Sequence, residues 1–89
     1  MNGGRMLEVV KVVRDLDHNF FLKKAYVNID KVVSIEEETT LTELFQANPE
    51  RFPEGMDDRQ TFSSMSFSGG ATTNYLTAVG SPETILSKA

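Results

Sequence analysis

The chain contains no cysteine and only one histidine, His18. Disulfide bonds and thiolate zinc sites are therefore excluded, and His18 has no cysteine or second histidine with which to share a metal ion. A chain of 89 residues can bury only a small core, so we treat residues 1–89 as one domain that needs good packing or self-association. We therefore expect a homo-oligomer.

Long apolar runs are absent too, because charged residues interrupt the valine-rich segments every few positions. Nothing approaches the roughly 20 apolar residues of a membrane span, and the segment MNGGRM lacks the apolar core of a secretion signal. We expect a cytoplasmic protein with no membrane contact. Acidic residues outnumber basic ones by 13 to 9, giving a net charge of -4. This balance disfavours indiscriminate phosphate binding but still allows a local basic patch.

Alternation of apolar and polar residues predicts five strands. The segment VVKVV favours a strand because branching at Cβ restricts χ1 in a helix. Asp and Asn residues predict a turn at 15–19 and a bend at 28–31, since their side chains can hydrogen-bond the local backbone. The strands are predicted at 6–14, 20–28 and 32–36, and on both sides of a diglycine hairpin within 62–79.

Two details of strand orientation follow from this alternation. Val33 and Ile35 are predicted to face the core. At Gly69-Gly70 a three-residue connection places Met65 and Phe67 on the face of Tyr75 and Val79, whereas a two-residue connection pairs them with Leu76 and its neighbours. We favour the three-residue connection.

The segment 39–61 interrupts the strand pattern and predicts an inserted helix and loop. Thr40 and Glu43 match a capping box, and apolar spacing predicts a helix at 41–47. The remainder, 50–60, is predicted to be a mobile surface loop. After the last strand, Ser81 as N-cap and Pro82 at the first helical position predict a short C-terminal helix that extends to Lys88.

This order of elements resembles the Sm/Lsm-like small β-barrels, over roughly residues 6 to 80 apart from the insertion. Asn28-Ile29-Asp30 lies where the Sm signature between the second and third strands lies. Ala78-Val79-Gly80 keeps the hydrophobic residue and glycine of the second signature, though not its arginine. The resemblance implies a mainly β fold: a small five-stranded bent-sheet barrel of the Sm/SH3 type, with a helical insertion and a short C-terminal helix.

A second, local similarity is to the FlbD-type motility proteins, through the segments VNIDKVVSIEE and GSPETIL. That family is regarded as regulatory or protein-binding. The similarity therefore implies an adaptor or assembly module, and we expect such a module to dock a protein partner on segment 41–62.

Structural roles explain the candidate catalytic and metal-binding residues better than catalysis or metal binding does. Asp15, Asp17 and Asn19 share the first spacings of a calcium loop, but its required glycine and terminal glutamate are missing. The cluster Glu36-Glu37-Glu38 cannot converge on a metal with Asp57-Asp58, because neighbouring strand residues point to opposite sides. We predict no enzyme, no catalytic or metal-binding residue and no cofactor, and place Ser64, Ser66 and Ser68 on the outside of their strand.

Cations beside aromatic residues occur together only around Lys23-Lys24. Single-stranded RNA is bound by such combinations, in which the rings stack on bases and the cations contact phosphates. The alternative is that the aromatic residues belong to the core and the lysines protect strand edges from aggregation. The leading hypothesis is an oligomeric, non-enzymatic RNA-binding barrel with candidate site residues Lys23, Lys24, Tyr26, Asn28, Asp30 and Lys31.

Overall fold

The computed structural model describes residues 5–69 and 72–89. Five strands lie at Met6–Arg14 (β1), Phe20–Asn28 (β2), Val32–Glu37 (β3), Phe62–Gly69 (β4) and Thr72–Val79 (β5). Two α-helices lie at Thr39–Ala47 (α1) and Pro82–Leu86 (α2), and single 3-10 turns lie at Ile29–Lys31 and Pro49–Arg51. The predicted mainly β fold with five strands is confirmed.

The strands form one antiparallel sheet in the order β2-β1-β5-β4-β3. β2 and β3 are its two edges. One 3-10 turn joins them along the chain, yet they do not pair with each other. The sheet is therefore open, and closure into a barrel is not confirmed.

The β1–β2 hairpin turns through residues 15–19, as predicted. Oδ1 of Asp15 accepts hydrogen bonds from the backbone N–H groups of Asp17 and Asn19, at 2.8 and 3.0 Å. His18 in this turn has a φ of 64°, in the left-handed region that residues with a Cβ atom adopt less readily than glycine. The turn is held by Asp15, at the cost of a strained backbone at His18.

The register between β4 and β5 differs from the three-residue connection that the diglycine suggested. Gly69 lies opposite Thr72, so two residues connect the strands, and Met65 lies opposite Leu76. That register puts Met65, which is 0% exposed, between the partly buried Ile35 of β3 and Leu76 of β5. Burial of this side chain overrides the turn preference. Gly70 itself lies outside the described residues.

A β-bulge in β3 overturns the predicted orientation of Val33. Val32 lies opposite Phe67 and Ser34 opposite Ser66, so two steps along β3 correspond to one step along β4. The extra residue, Val33, is 67% exposed, whereas Ile35 packs against the core as predicted.

The bulge also places Ser34 against Ser66. Their hydroxyl oxygens lie 2.6 Å apart in a hydrogen bond. Ser66 is only 7% exposed, so its predicted outward position is wrong. The reason is local, because a serine can be buried when a neighbouring hydroxyl satisfies it.

The two faces of the sheet carry separate apolar clusters. The face that includes Leu7, here called the Leu7 face, is covered by Ile85 of α2 and holds buried Leu7, Val9, Met65 and Ala78. The opposite face, here called the Val12 face, is covered by the segment between β3 and β4 and includes Phe45, Phe52, Phe62, Val12 and Phe20. Both faces of the sheet are thus partly covered.

The segment predicted as a mobile surface loop contributes a buried residue to the second cluster. Phe52 is 5% exposed, and its ring stacks on that of Phe20 with centroids 4.6 Å apart. The ring of Phe45 packs edge to face against the ring of Phe52, with centroids 4.9 Å apart. The insertion is therefore fastened to the sheet by aromatic packing, which the prediction missed.

The helix ends are set by single side chains. Glu38, not Thr40, caps α1: its Oε2 accepts from the backbone N–H of Leu41 at 3.3 Å, and the helix begins at Thr39. Ser81 caps α2 as predicted, with Oγ accepting from the N–H of Thr84 at 3.2 Å, although the helix ends at Leu86. Gly80 precedes it with a φ of 112°, which only glycine adopts readily.

Candidate functional site

The two lysines at the centre of the predicted RNA site point to opposite faces of the sheet. Lys23 lies opposite Lys11 on the Leu7 face, and Lys24 lies opposite Val10 on the Val12 face. Both belong to β2, an edge strand. They are therefore one charge on each face of one sheet edge, rather than a joint cationic patch.

Lys24 and Tyr26 share an acidic neighbour on β1. Nζ of Lys24 lies 4.0 Å from Oε2 of Glu8, and the hydroxyl of Tyr26 donates to Oε1 of Glu8 at 3.5 Å. Side chains as exposed as these gain at most about 1 kcal/mol from such pairing. The ring of Tyr26 remains exposed, so this surface combines a partly neutralised cation with a free aromatic face.

The remaining predicted site residues lie in the 3-10 turn between β2 and β3. Oδ1 of Asn28 accepts from the N–H of Asp30 at 2.9 Å, which caps the turn. The carboxylate of Asp30 lies 3.7 Å from Arg5, and Lys31 is exposed in the last position of the turn. The side chains of Asn28 and Asp30 already have local partners here.

On the Leu7 face, the predicted site residue Lys23 has a second cation beside it, Lys11, which was not among the predicted site residues. Lys11 and Lys23 lie directly opposite each other on β1 and β2. Phe21, the next residue along that face of β2, is 44% exposed beside Val13. Aligning β1 with β2 across the predicted turn at 15–19 would have placed these two lysines opposite each other from the sequence alone.

A row of paired residues crosses all five strands from this lysine pair. Lys23 lies opposite Lys11, Lys11 opposite Ala78, Ala78 opposite Ser63 and Ser63 opposite Glu37. Ala78 and Ser63 in the middle are buried. The row therefore has cations at the β2 edge and a carboxylate at the β3 edge.

The β3 edge is acidic and apolar. Glu36 lies opposite Ser64 and Glu37 opposite Ser63, so their exposed carboxylates point to opposite faces. Val33 and Leu86 are exposed close by. They belong to a shallow depression of about 310 Å³ lined by Ile29, Val32, Val33, Ser34, Ile35 and Leu86.

The residues considered for metal binding or nucleophilic catalysis have positions that the fold explains. Across residues 5–69 and 72–89, no three His, Asp or Glu side chains are grouped closely enough to hold a metal ion. The hydroxyl of buried Ser63 donates to the carbonyl of Gly80 at 2.7 Å. Glu38 caps α1, and His18 is exposed in the hairpin turn.

No protein family, curated protein or solved structure gives a match to this chain. Within the part of the chain that the structure describes, no helix has the length and apolar character needed to cross a bilayer. The resemblances to Sm-like and FlbD-type proteins stay predictions.

Proposed function

We propose that this protein is a non-enzymatic assembly module with an Sm-like sheet, whose copies associate by placing β2 of one copy beside β3 of the next. The observation that carries the proposal is an open sheet with two edges of opposite charge. An unpaired strand edge offers backbone donors and acceptors to another chain. Addition of a strand to such an edge is a common mode of association.

The charges favour contact between unlike edges. The β2 edge carries Lys23 on the Leu7 face and Lys24 on the Val12 face, while the β3 edge carries Glu37 and Glu36 on those same faces. Two β2 edges would bring lysines together, and two β3 edges would bring glutamates together. Like charges opposite each other are destabilising, so a head-to-tail arrangement is favoured over a two-fold one.

Antiparallel alignment of β2 with β3 of the next copy brings the opposite charges of the two edges together. Because β2 and β3 run in the same direction within the sheet, this alignment turns the next copy over, so that its Val12 face continues the Leu7 face. Lys23 then lies opposite Glu36 on one side of the continued sheet, and Lys24 lies diagonally across from Glu37 on the other side. The same alignment places Tyr26 close to the exposed Val33. These side chains supply apolar contact beside the charges, as stable interfaces require.

Mixing of charge-reversed variants tests the arrangement. Light scattering and native mass spectrometry of the wild type are expected to show oligomers whose population rises with concentration. Lys23→Glu with Lys24→Glu makes both edges acidic, and Glu36→Lys with Glu37→Lys makes both basic, so each double variant alone is expected to be monomeric. Their mixture restores two complementary edges and is expected to form mixed oligomers.

A matched control reverses two exposed charges away from the edges, Arg51→Glu with Lys88→Glu, and is expected to associate like the wild type. Wild-type protein that stays monomeric at high micromolar concentration would contradict the proposal. So would charge-reversed variants that fail to associate on mixing. Contact between β2 and β3 of the same chain would neutralise these charges within a monomer. Such a chain would stay monomeric and would contradict the proposal.

A second function, binding of single-stranded RNA, is favoured by Lys11 and Lys23 beside the exposed ring of Phe21. An anion between two opposed lysines would relieve their repulsion, and an aromatic ring offers a stacking surface for a base. Because Lys11 lies on β1, away from the sheet edge, Lys11→Gln separates RNA binding from assembly. The regulatory alternative, with a protein docked on segment 41–62, stays a prediction.

Titration with oligo-U and oligo-A at two salt concentrations tests the RNA function. Binding is expected to weaken with salt, and Lys11→Gln is expected to lower both the affinity and the slope of its salt dependence, by about one phosphate contact. Lys88→Gln serves as the charge-matched control. Absent or salt-insensitive binding, or equal loss in both variants, would contradict RNA binding on this surface.

A further inference from the structure

An open groove runs between α1 and the Val12 face of the sheet. Its volume is about 360 Å³, within the range of roughly 300–1,000 Å³ typical of small-molecule sites. Val12, Phe20 and Thr77 line the sheet side, and Leu41 and Leu44 line the helix side. The lining is mostly apolar, so the groove offers a place for an apolar chain rather than for a sugar or a nucleotide.

The sheet side of the groove is held in place by aromatic packing. The ring of Phe20 stacks on buried Phe52 with the ring planes 16° apart, and Phe45 of α1 packs on Phe52 from the side. The same stack therefore fixes the floor of the groove and the helix above it. A preformed apolar site loses less free energy to ordering when it binds.

Arg14 lines the groove as a cation with no ionic partner. It forms no ion pair with any acid in the described part of the chain, and it is exposed. Glu38 also lines the groove, but its carboxylate accepts from the N–H of Leu41 as the cap of α1. The positive charge that the groove presents to a ligand is the guanidinium of Arg14, which favours two-pronged contact with a carboxylate.

We propose that this groove binds a small apolar carboxylate, with the apolar chain between α1 and the sheet and the carboxylate on Arg14. Apolar contact with Val12, Phe20, Leu41 and Leu44 supplies most of the affinity, and Arg14 selects the charge of the head group. The groove includes none of the four edge charges and does not include Lys11, although Phe20 in its lining belongs to β2. Changes at Arg14 therefore separate carboxylate binding from the proposed assembly and RNA binding.

Titrations followed by the backbone amide signals in NMR spectra test this site with three probes of equal chain length. Octanoate is expected to bind more tightly than octanol, and octanol more tightly than octylamine, with shifts concentrated at the groove residues. Arg14→Gln is expected to weaken octanoate binding about two- to fivefold, the effect of an exposed ion pair. The same change is expected to leave octanol binding unaltered.

Two further variants keep the test decisive. Arg51→Gln removes an exposed arginine away from the groove and is expected to leave octanoate binding unchanged. Thr40→Trp adds a large side chain at an exposed groove position of α1 and is expected to weaken octanoate and octanol alike, with thermal melting as the check on folding. Shifts scattered over the surface, equal binding of octanoate and octylamine, or equal loss of octanoate and octanol in Arg14→Gln would overturn the proposal.

Discussion

Lys11 of β1 and Lys23 of β2 lie directly opposite each other on the Leu7 face. Neither belongs to an ion pair within residues 5–69 and 72–89. Like charges in this position destabilise an antiparallel pair. The hairpin thus keeps two cations together at a cost in stability, and this pair of lysines is the one on which the proposed RNA binding rests.

Replacing one of these lysines by an acid is expected to stabilise the free protein. Lys11→Glu turns the repulsive pair into an attractive one and should raise the free energy of unfolding by about 0.5–1 kcal/mol in urea titrations at low salt. The gain should shrink at high salt because surface charges are screened. Lys11→Glu with Lys23→Glu restores like charges and should return stability close to that of the wild type, and a double variant as stable as the single one would contradict this account.

Removal of the ring of Phe52 is expected to release the insertion from the sheet. Phe52→Ala should lower the free energy of unfolding by about 3–5 kcal/mol, because it leaves a cavity beside Phe20 and Phe45. Leu16→Ala, at a side chain that is 99% exposed, should change it by less than about 0.5 kcal/mol. Similar urea midpoints for the two variants would mean that the insertion is not packed on the sheet.

The bulge in β3 makes neighbouring valines respond differently to truncation. Val32 packs against the core, so Val32→Ala should cost about 1 kcal/mol of stability. Val33 is the exposed bulge residue, and Val33→Ala should change stability by less than about 0.5 kcal/mol. Chemical denaturation distinguishes the two, and a larger loss at Val33 would indicate regular alternation without the bulge.

The buried hydroxyl of Ser63 is expected to matter more than its size suggests. Ser63→Ala removes the only side-chain donor to the Gly80 carbonyl found among the described residues. It should cost about 1–3 kcal/mol, the penalty for leaving a buried polar group without its hydrogen bond. Ser68→Ala on the exposed part of the same strand provides the comparison, and equal thermal stability of the two variants would argue against the hydrogen bond.

Relief of the strained turn at His18 is expected to stabilise the hairpin. His18→Gly places a residue that tolerates positive φ at a φ of 64° and should raise the free energy of unfolding by about 0.5 kcal/mol, after the larger entropy loss of glycine on folding. Asp17→Gly in the same turn gains no such relief and should be destabilising. Equal effects of both changes in thermal melts would exclude strain at His18.

Sequence patterns predict most of the fold because strand alternation and capping are local properties. The five strands, the Asp15 turn and the Ser81 cap all follow from neighbouring residues. The bulge at Val33 does not, because one extra residue in a strand leaves no mark on composition. The burial of Phe52 depends on contact with the distant Phe20, in a segment that has no apolar periodicity of its own.

The candidate surfaces were predictable only in part for a related reason. Composition draws attention to Lys23 and Lys24, but their side chains belong to opposite faces once they lie in one strand. The pairing of Lys23 with Lys11 depends on the hairpin register, and the role of Glu36 and Glu37 as an edge depends on the strand order. The position of Arg14 in a groove depends on the packing of α1 above the Val12 face.

The pairing of Lys11 with Ala78 joins two parts of the sheet that form in separate stretches of sequence. β1 and β2 pair locally through a short turn, and β4 and β5 do the same, but the contact between β1 and β5 spans nearly the whole chain. Contacts of such long sequence separation are slow to form. During synthesis the first hairpin therefore forms before β5 and α2, which cover Leu7 and Val9, have been made. In that interval the nascent chain is most exposed to mispairing with a neighbouring chain.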